Sequence, residues 1–233
     1  MVSYSQKCYT KTMKTQNEFE NYLNSIKQMA AEAGFDSLDE IYVEHLRARY
    51  FEEDVVIGRT SRVILRELKM TDLESLYRFE DAGKEPILQA FIKETKEDTK
   101  AHLRAYIEHM YPLYDYGIWA VENVETGEMI GLCGLGQTEV KGECCTDLGY
   151  YICPKCRKQG FATECIEIVL DYVKNYLEFS WIYAIIKEEN RISEGILRKF
   201  GFSEIKEQQW ATQKSFALQI TKAEAVSLQH VLM

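Results

Sequence analysis

The segment from Tyr150 to Ile186 combines a strand, a glycine-containing turn, a helix and a second strand, in that order. The first strand ends at Pro154, and apolar residues then recur at helical spacing from Ala162 to Val173. The run "SWIYAIIK" that follows is rich in isoleucine and aromatic residues, as strands are. A strand–helix–strand connection is right-handed and pairs its two strands in parallel. The chain is therefore predicted to contain a sheet with a parallel strand pair.

The other predicted strands follow from alternating apolar and polar residues, and their connections allow antiparallel pairing. They are "SRVILREL", Ile118–Glu122, Met129–Thr138, "TDLGYYIC", "SEIKE" and "QKSFALQITK". Further helices are predicted at "KMTDLESLYRFEDAG", "EDTKAHLRAYIEHMY" and "NRISEGILRKFGF". The predicted fold class is α/β, with a mixed, mostly antiparallel, twisted sheet around a central parallel strand pair.

Two helices are predicted before this sheet. "NEFENYLNSIKQMAAEAG" carries an apolar stripe on one helical face, and "SLDEIYVEHLRARYF" opens with a capping-box spacing from Ser37 to Glu40. We therefore divide the chain into a helical N-terminal extension, residues 1–57, and a main domain, residues 58–233. The extension is expected to form a cap or an oligomer surface. A second copy of this chain, in a homodimer, is therefore one hypothesis for a partner.

Charge and composition limit the function classes. The net charge of -9 argues against a nucleic-acid-binding protein, which should be basic. No apolar run approaches the length that spans a bilayer, and the N-terminus has no apolar segment of a signal peptide, so we expect a cytoplasmic protein without a membrane partner. The seven cysteines are an odd number, which indicates reduced thiols rather than a disulfide framework.

The turn itself contains a CxxC pair, Cys153 and Cys156, in "YYICPKCRKQGFATEC". A zinc site needs four ligands, but Cys144 and Cys145 are adjacent on a strand and point to opposite faces. A thioredoxin-type redox pair needs a proline loop further along the chain, whereas Pro154 is the last proline. Both interpretations are therefore disfavoured, and no metal is predicted.

The remaining interpretation of the turn is an anion-binding loop. Backbone N–H groups at the start of a helix, with the positive end of the helix dipole, bind phosphate. Gly160 lets the backbone approach an anion closely, and Arg157 and Lys158 add positive charge. A diphosphate is thus predicted on residues 157–163. An ordinary β-α turn with basic surface residues is the alternative that the loop by itself leaves open.

Four motifs resemble those of the GNAT N-acetyltransferases, in the RimJ/RimL-type branch of ribosomal-protein N-terminal acetyltransferases. "RKQGFA" resembles the R/Q-x-x-G-x-G/A signature that holds the acetyl-CoA pyrophosphate, and "DLGYYICPKCRKQGFATE" resembles the branch's E-I-G-Y strand and P-x-Y-R-G-K-G-Y-A-T-E loop. "NRISEGILRKFGF" and "TSRVILRELKMTDLESL" are similar to its later helix and its opening strand and helix. The matches occur in family order over residues 60–220.

The resemblance implies a GNAT fold with acetyl-CoA as co-substrate. In that fold the two parallel strands splay apart and the pantetheine arm enters the gap, here between Asp147–Cys153 and Trp181–Ile186. A donor aimed at the developing oxyanion contributes several kcal/mol in such sites, about 3 kcal/mol for one hydrogen bond. By matching positions, the residues implied at the co-substrate are Tyr151, Ile152, Cys153, Arg157, Lys158, Gln159, Gly160, Phe161, Ala162, Thr163, Asn190 and Ser193.

The resemblance also implies catalytic residues. Asp147 stands where the family strand carries glutamate, and we expect it to accept the amine proton directly or through water. Many family members protonate the leaving thiolate with a tyrosine on the later helix. The corresponding residue in this chain is Leu197. The RimJ/RimL-type branch also lacks this tyrosine, which agrees with the assignment to that branch. Ser193 and Asn190 are the remaining candidates, and both can also cap that helix. Lys158 and Cys156 replace a glycine and an aromatic residue of the family loop.

The predicted function is acetyl transfer from acetyl-CoA to a primary amine, without a covalent enzyme intermediate. The RimJ/RimL-type resemblance suggests a protein N-terminal α-amine, and the branch also contains acetyltransferases of small cationic amines such as polyamines or antibiotics. A non-catalytic acyl-CoA-binding regulator is the rival from another class, and a metal-binding module is the third.

Overall fold

The computed structural model describes residues 14–34, 37–80, 85–140, 142–205 and 213–221. The chain forms two compact units, one that ends at Asp54 and one that begins at Val55. The described residues of the first unit form two helices, and those of the second form the sheet. Within the described ranges, no helix is both long enough and apolar enough to cross a membrane.

The first unit consists of α1, Gln16–Glu32, and α2, Glu40–Phe51. Thr15 forms a capping box at the start of α1, because its hydroxyl accepts from the Glu18 N–H and the Glu18 carboxylate accepts from Thr15. The capping box predicted for α2 was wrong. The N-cap of α2 is Asp39, two residues after the predicted cap Ser37. The Asp39 carboxylate accepts from the Ile41 N–H at 2.8 Å.

Apolar side chains hold the two helices together. Phe19 and Leu23 of α1 are buried with Leu46 of α2. The Phe19 ring lies 5.3 Å from the ring of Tyr50 and 5.6 Å from that of Phe51, distances at which tilted aromatic pairs attract beyond their area burial. The apolar stripe predicted on α1 is therefore its buried face, although Met29, farther along it, is exposed.

The second unit is built on one sheet of eight described strands. In chain order they are β1 Val56–Arg59, β2 Val63–Arg66, β3 Ile118–Asn123, β4 Met129–Val140, β5 Glu143–Ile152, β6 Trp181–Lys187, β7 Ser203–Ile205 and β8 Gln213–Gln219. Their order across the sheet is β1-β2-β3-β4-β5-β6-β8-β7, and all pairs are antiparallel except β5–β6. The predicted fold class is confirmed. β1 was not predicted, because a four-residue strand that contains Gly58 shows too little alternation of apolar and polar residues. This strand lies across the predicted division between residues 57 and 58.

Helices connect and cover the strands. They are α3 Leu73–Glu80, α4 Pro86–Gln89, α5 Lys96–Ala105, α6 Tyr111–Tyr114, α7 Phe161–Tyr176 and α8 Arg191–Lys199, with a π-helical segment at Tyr106–Met110 and 3-10 turns at Met70–Asp72 and Pro154–Cys156. A Cβ added at Gly58 of β1 would lie 2.6 Å from Ile168 of α7, so the glycine permits this close packing. The ring of Phe79 in α3 lies 5.3 Å from that of Tyr151 in β5.

The parallel pair opens a gap in the sheet. β5 pairs with β4 along its whole length, but it pairs with β6 only where Asp147 faces Tyr183. β6 then continues beside β8 to Lys187. The carboxyl-terminal parts of β5 and β6 therefore diverge, and each keeps its hydrogen bonds to its outer neighbour while the edges that face each other are free to bind a ligand.

Candidate active site

Two cavities meet at the gap between β5 and β6. The first, of about 380 Å³, lies against the turn and the start of α7, and we call it the loop cavity. The second, of about 430 Å³, lies against α4 and the aromatic residues before β3, and we call it the aromatic cavity. Both are lined by Glu85, Tyr150, Asn190 and Ser193. The gap therefore offers adjacent spaces for two molecules that share one boundary.

The loop cavity lies against the N-terminus of α7. Gly160 is the N-cap of α7 with a φ of 89°, a left-handed conformation that suits glycine, and it leaves the first N–H groups of α7 directed into the turn. Lys158 also has a positive φ, 62°. The Arg157 Nε donates to the Ile152 carbonyl at 2.8 Å, which fixes the guanidinium beside the cavity. This arrangement fits an anionic group at the helix N-terminus.

Most predicted co-substrate residues line the loop cavity. Only Cys153 and Gln159 of that set do not. The Cys153 N–H donates to the Ile130 carbonyl of β4 at 2.8 Å, and the Gln159 side chain donates to the Lys155 carbonyl at 3.1 Å. Because N–H groups alternate in direction along an antiparallel strand, the N–H groups of Tyr150 and Ile152 then face the gap.

The cysteines of the turn are thiols in this structure. The Cys156 N–H donates to the Cys153 carbonyl within the 3-10 turn, and both thiols are free. Burial, and then the neighbouring Cys153, raises the pKa of Cys156 to about 11, so the thiol is protonated at neutral pH and is a poor nucleophile. Among the residues that the structure describes, no three histidine, cysteine, aspartate or glutamate side chains come together as metal ligands.

The aromatic cavity is made of side chains from distant segments. Phe91, Tyr106 and Tyr116 form much of its wall. The Phe91 and Tyr106 rings meet edge to face with centroids 4.9 Å apart, and the Tyr106 hydroxyl accepts from the Ile118 N–H at 2.7 Å. These contacts hold the wall in one conformation, and they present an apolar surface to whatever enters.

Asp147 lies on this cavity at the point where β5 and β6 separate. Burial raises the pKa of its carboxyl to about 6, although a hydrogen bond from its own backbone N–H acts in the opposite direction. Gly136 faces Asp147 on β4, and a Cβ there would lie 3.0 Å from the Asp147 Oδ1. The absence of a side chain at position 136 therefore leaves room for the carboxylate.

α8 brings the predicted serine and asparagine to the boundary of the two cavities. The Asn190 Oδ1 accepts from the Ser193 N–H at 3.1 Å and so caps the helix, as the sequence allowed. Ser193 is buried, and its hydroxyl lies near the Tyr150 phenol, where it acts to lower the pKa of Tyr150. Leu197 is fully buried and lies against the aromatic cavity, where its side chain supplies no proton.

Two boundary residues were not among the predicted site residues. Tyr150 lines both cavities, as does Glu85, which is the residue before α4 and lies 3.9 Å from the Arg157 guanidinium. Tyr150 could have been predicted from the strand motif "DLGYY". Tyr150 is three residues from Asp147 on the same strand, so its side chain lies beside the gap on the opposite face of the strand. Glu85 had no such signal, since the segment around Pro86 has no clear periodicity.

Comparisons with known proteins agree with this geometry. The family model for the acetyltransferase (GNAT) domain matches residues 62–203. The uncharacterized N-acetyltransferase YoaA of Bacillus subtilis is 31% identical over 152 residues, which are 63% of this chain and 82% of that protein.

Solved structures share the fold. RimL, the ribosomal L7/L12 α-N-protein acetyltransferase in complex with coenzyme A, superposes with a TM-score of 0.55 and 15% identity over 71% of this chain and 98% of RimL. The spermidine N-acetyltransferase of Vibrio cholerae, a dodecamer, superposes with a TM-score of 0.54 and 20% identity over 69% of this chain and 95% of that one. The chain therefore belongs to the GNAT acetyltransferase family and is an acetyl-CoA-dependent N-acetyltransferase.

Proposed function

We propose that the protein acetylates a primary amine by direct attack on acetyl-CoA, with the co-substrate in the loop cavity and the amine in the aromatic cavity. The observation that carries this proposal is the boundary that the two cavities share, close to the half-buried carboxyl of Asp147, whose pKa is raised. Two reactants held on either side of one boundary react as if in a single molecule. We further propose that residues 58–233 carry the reaction and that residues 1–57 do not take part in it.

On the co-substrate side, we assign the pyrophosphate to the N-terminus of α7. The helix N–H groups, with Arg157 and Lys158, would neutralise its charge. The N–H groups of Tyr150 and Ile152 face the gap and can bond the pantetheine arm or the acetyl oxygen. The Cys153 N–H cannot do so while it bonds to β4, so a contact of Cys153 would have to come from its other atoms.

On the amine side, Asp147 is assigned as the base. An amine reaches the cavity mostly as an ammonium ion, and it must lose a proton before its nitrogen can attack the thioester carbonyl. A carboxyl with a pKa of about 6 is ionised at neutral pH yet accepts a proton more readily than an ordinary aspartate. Because aspartate is shorter than glutamate by one methylene, a water molecule is assigned as the relay between the amine and Asp147.

The acceptor that we favour is a peptide N-terminal α-amine. The structural likeness to RimL, which acts on a protein α-amine, and the motifs of the RimJ/RimL-type branch support it. The wall of Phe91, Tyr106 and Tyr116 would hold the apolar part of a first residue. The likeness to a spermidine N-acetyltransferase supports the second candidate, a small cationic amine, for which Glu85 and Asp147 are the carboxylates of the cavity.

Release of free CoA thiol from acetyl-CoA tests the proposal. The full-length protein is assayed with peptides that have free N-termini, with the same peptides blocked at the N-terminus, and with spermidine and other small amines. Turnover with free peptides but not with blocked ones supports the α-amine, whereas turnover with spermidine alone supports the second candidate. Tight CoA binding without turnover of any amine would instead support the non-catalytic regulator.

A further inference from the structure

Tyr150 is a half-buried residue at the boundary of the two cavities, and its phenol has no role in the proposed function. Its hydroxyl oxygen is enclosed and makes no hydrogen bond of ordinary geometry within the described part of the chain. An enclosed polar group without a partner costs about 1–3 kcal/mol of stability. Such a group in a folded protein calls for an explanation, and one explanation is a ligand that provides the missing partner.

The surroundings of Tyr150 keep the phenol protonated. Burial raises the pKa of Tyr150, the nearby Ser193 hydroxyl acts in the opposite direction, and the buried Cys133 thiol of β4 raises it further. Burial also raises the pKa of Cys133 well above its usual range, so this neighbour is neutral at physiological pH. The phenol therefore enters the reaction with its proton in place.

The position of Tyr150 complements that of Asp147. The two residues are three apart on β5, so their side chains lie on opposite faces of the strand. A thioester held in the gap would thus have the carboxyl on one face and the phenol, with Ser193 of α8, on the other. These are the positions needed for a group that takes a proton from the amine and a group that gives one to the sulfur.

We propose that Tyr150 is the acid that protonates the sulfur of CoA as it leaves, with Ser193 positioning the phenol. This rests on the proposed function. The ammonium ion first loses one proton through water and Asp147 to solvent. The neutral nitrogen then bonds to the acetyl carbon, and the second proton, which the nitrogen must lose to become an amide, passes through water to Asp147. The carbon–sulfur bond then breaks with its electron pair on sulfur, and the Tyr150 O–H proton moves to that sulfur. After CoA leaves, solvent returns a proton to the tyrosinate, and Asp147 releases the one it received.

Kinetics of Tyr150→Phe provide the first test, since this change removes only the hydroxyl. We expect kcat to fall about 100-fold, as is typical when a general acid is removed, with little change in KM for acetyl-CoA or amine. Tyr176→Phe is the matched control, because Tyr176 is a half-exposed phenol on α7 outside both cavities and should keep full activity. If Ser193 only positions the phenol, the double variant with Ser193→Ala should lose little more than Tyr150→Phe alone.

Binding of CoA provides a second test that does not need an amine. A phenol that donates to the sulfur stabilises the thiolate, so the thiol of bound CoA should have a lower pKa in the wild type than in Tyr150→Phe. The ultraviolet absorbance of the thiolate measures this pKa, with the complex of desulfo-CoA as the blank for the protein's own cysteines. A purely structural role for Tyr150 would not change it.

Three outcomes would overturn the assignment. One is a Tyr150→Phe enzyme with kcat within about threefold of the wild type, which is too small a loss for a general acid. Another is an unchanged pKa of the bound thiol, and the third is a larger loss from Ser193→Ala than from Tyr150→Phe, which would make the serine the donor. A wild-type protein that binds CoA but acetylates no amine overturns the proposed function, and this inference with it, before any variant is compared.

Discussion

The two cavities that meet between β5 and β6 are built in different ways. The loop cavity comes mainly from one continuous segment, residues 150–163, which includes the N-terminus of α7 and the left-handed Gly160. The aromatic cavity is assembled from α4, the segment before β3, and parts of β4, β5, β6 and α8, and side chains make its wall. We therefore expect substitutions of single residues to change the acceptor side more readily than the co-substrate side.

The two cavities should therefore respond differently to substitution. Changes on the aromatic side should affect the acceptor and the chemical step, and changes in the loop should affect the affinity for acetyl-CoA. Tyr150 lines both cavities, and Asp147 lines the aromatic cavity where β5 and β6 separate, so we propose both for the chemical step.

Replacement of Asp147 by asparagine should lower kcat by about 100-fold or more, because the variant keeps the shape of the side chain but cannot accept the amine proton. The affinity for CoA should stay the same, since the loop cavity is unchanged. Steady-state kinetics and calorimetric CoA titration measure the two quantities. A loss of CoA affinity similar to the loss of kcat would show that the two sides of the cleft are not separable.

Stability provides the control for this variant. Burial raises the folded-state pKa of Asp147 to about 6, above its unfolded value. Folding then favours the protonated form, and the stability that this gives is present at low pH and is lost as the pH rises through about 6. Asp147→Asn should therefore be more stable than the wild type at pH 8, by up to about 2 kcal/mol. An inactive variant that melts at a higher temperature cannot be explained by unfolding.

The pH dependence of kcat gives the second prediction. Below about pH 6 the carboxyl of Asp147 is protonated and cannot act as a base, so kcat at saturating acetyl-CoA should fall about tenfold for each further pH unit. The acceptor amine also loses its proton as the pH rises, but that change occurs in Asp147→Asn as well. The ratio of the two profiles isolates the step near pH 6, and a ratio that does not vary with pH would remove Asp147 from the role of base.

The same difference between the cavities explains what the sequence could predict. Strands β2 to β8, α7, α8 and the parallel pair follow from periodicity and from one β-α-β unit, which are local patterns. The anion loop is also a local pattern. Two basic residues, a glycine and the first turn of a helix all lie within residues 157–163. For this reason most of the predicted co-substrate residues lie on the loop cavity.

The aromatic cavity was not predictable in the same way. Phe91, Tyr106 and Tyr116 come from segments whose contacts depend on the tertiary fold, and aromatic residues in such positions are more often core than site. Glu85 reaches the boundary only because α4 packs near β5. Tyr150 is the intermediate case. It lies in the strand motif "DLGYY", but the enclosure of its hydroxyl without a partner depends on the tertiary fold.

A matched pair of glycine substitutions gives the third prediction. A Cβ at Gly136 would crowd the Asp147 carboxylate, so Gly136→Ala should lower kcat about tenfold and leave the KM for acetyl-CoA unchanged. Gly160→Ala forces a side chain into a left-handed conformation at the start of α7, which costs about 1–2 kcal/mol. It should raise the KM for acetyl-CoA up to about tenfold and leave kcat unchanged. The reverse pattern, or the same pattern for both, would contradict the separation.

Lys158 allows the smallest and most specific test of the loop. Its φ of 62° is unusual for a residue with a side chain, and the corresponding position in the family loop is glycine. Lys158→Gly should relieve this strain and raise the stability by about 0.5–1 kcal/mol, measured by urea unfolding. Lys158→Ala, which removes the same charge but keeps the Cβ, should not be stabilised.

The two Lys158 variants also separate charge from backbone in the binding of acetyl-CoA. If backbone N–H groups do most of the binding, both variants should raise the KM for acetyl-CoA by no more than about threefold, because one exposed charge contributes about 1 kcal/mol or less and is screened by salt. A rise of about tenfold in both variants, abolished at high salt, would mean that the lysine side chain holds the phosphates. In that case the loop cavity, like the aromatic one, would depend on a side chain that substitution can change, and the contrast between the two cavities would be one of degree.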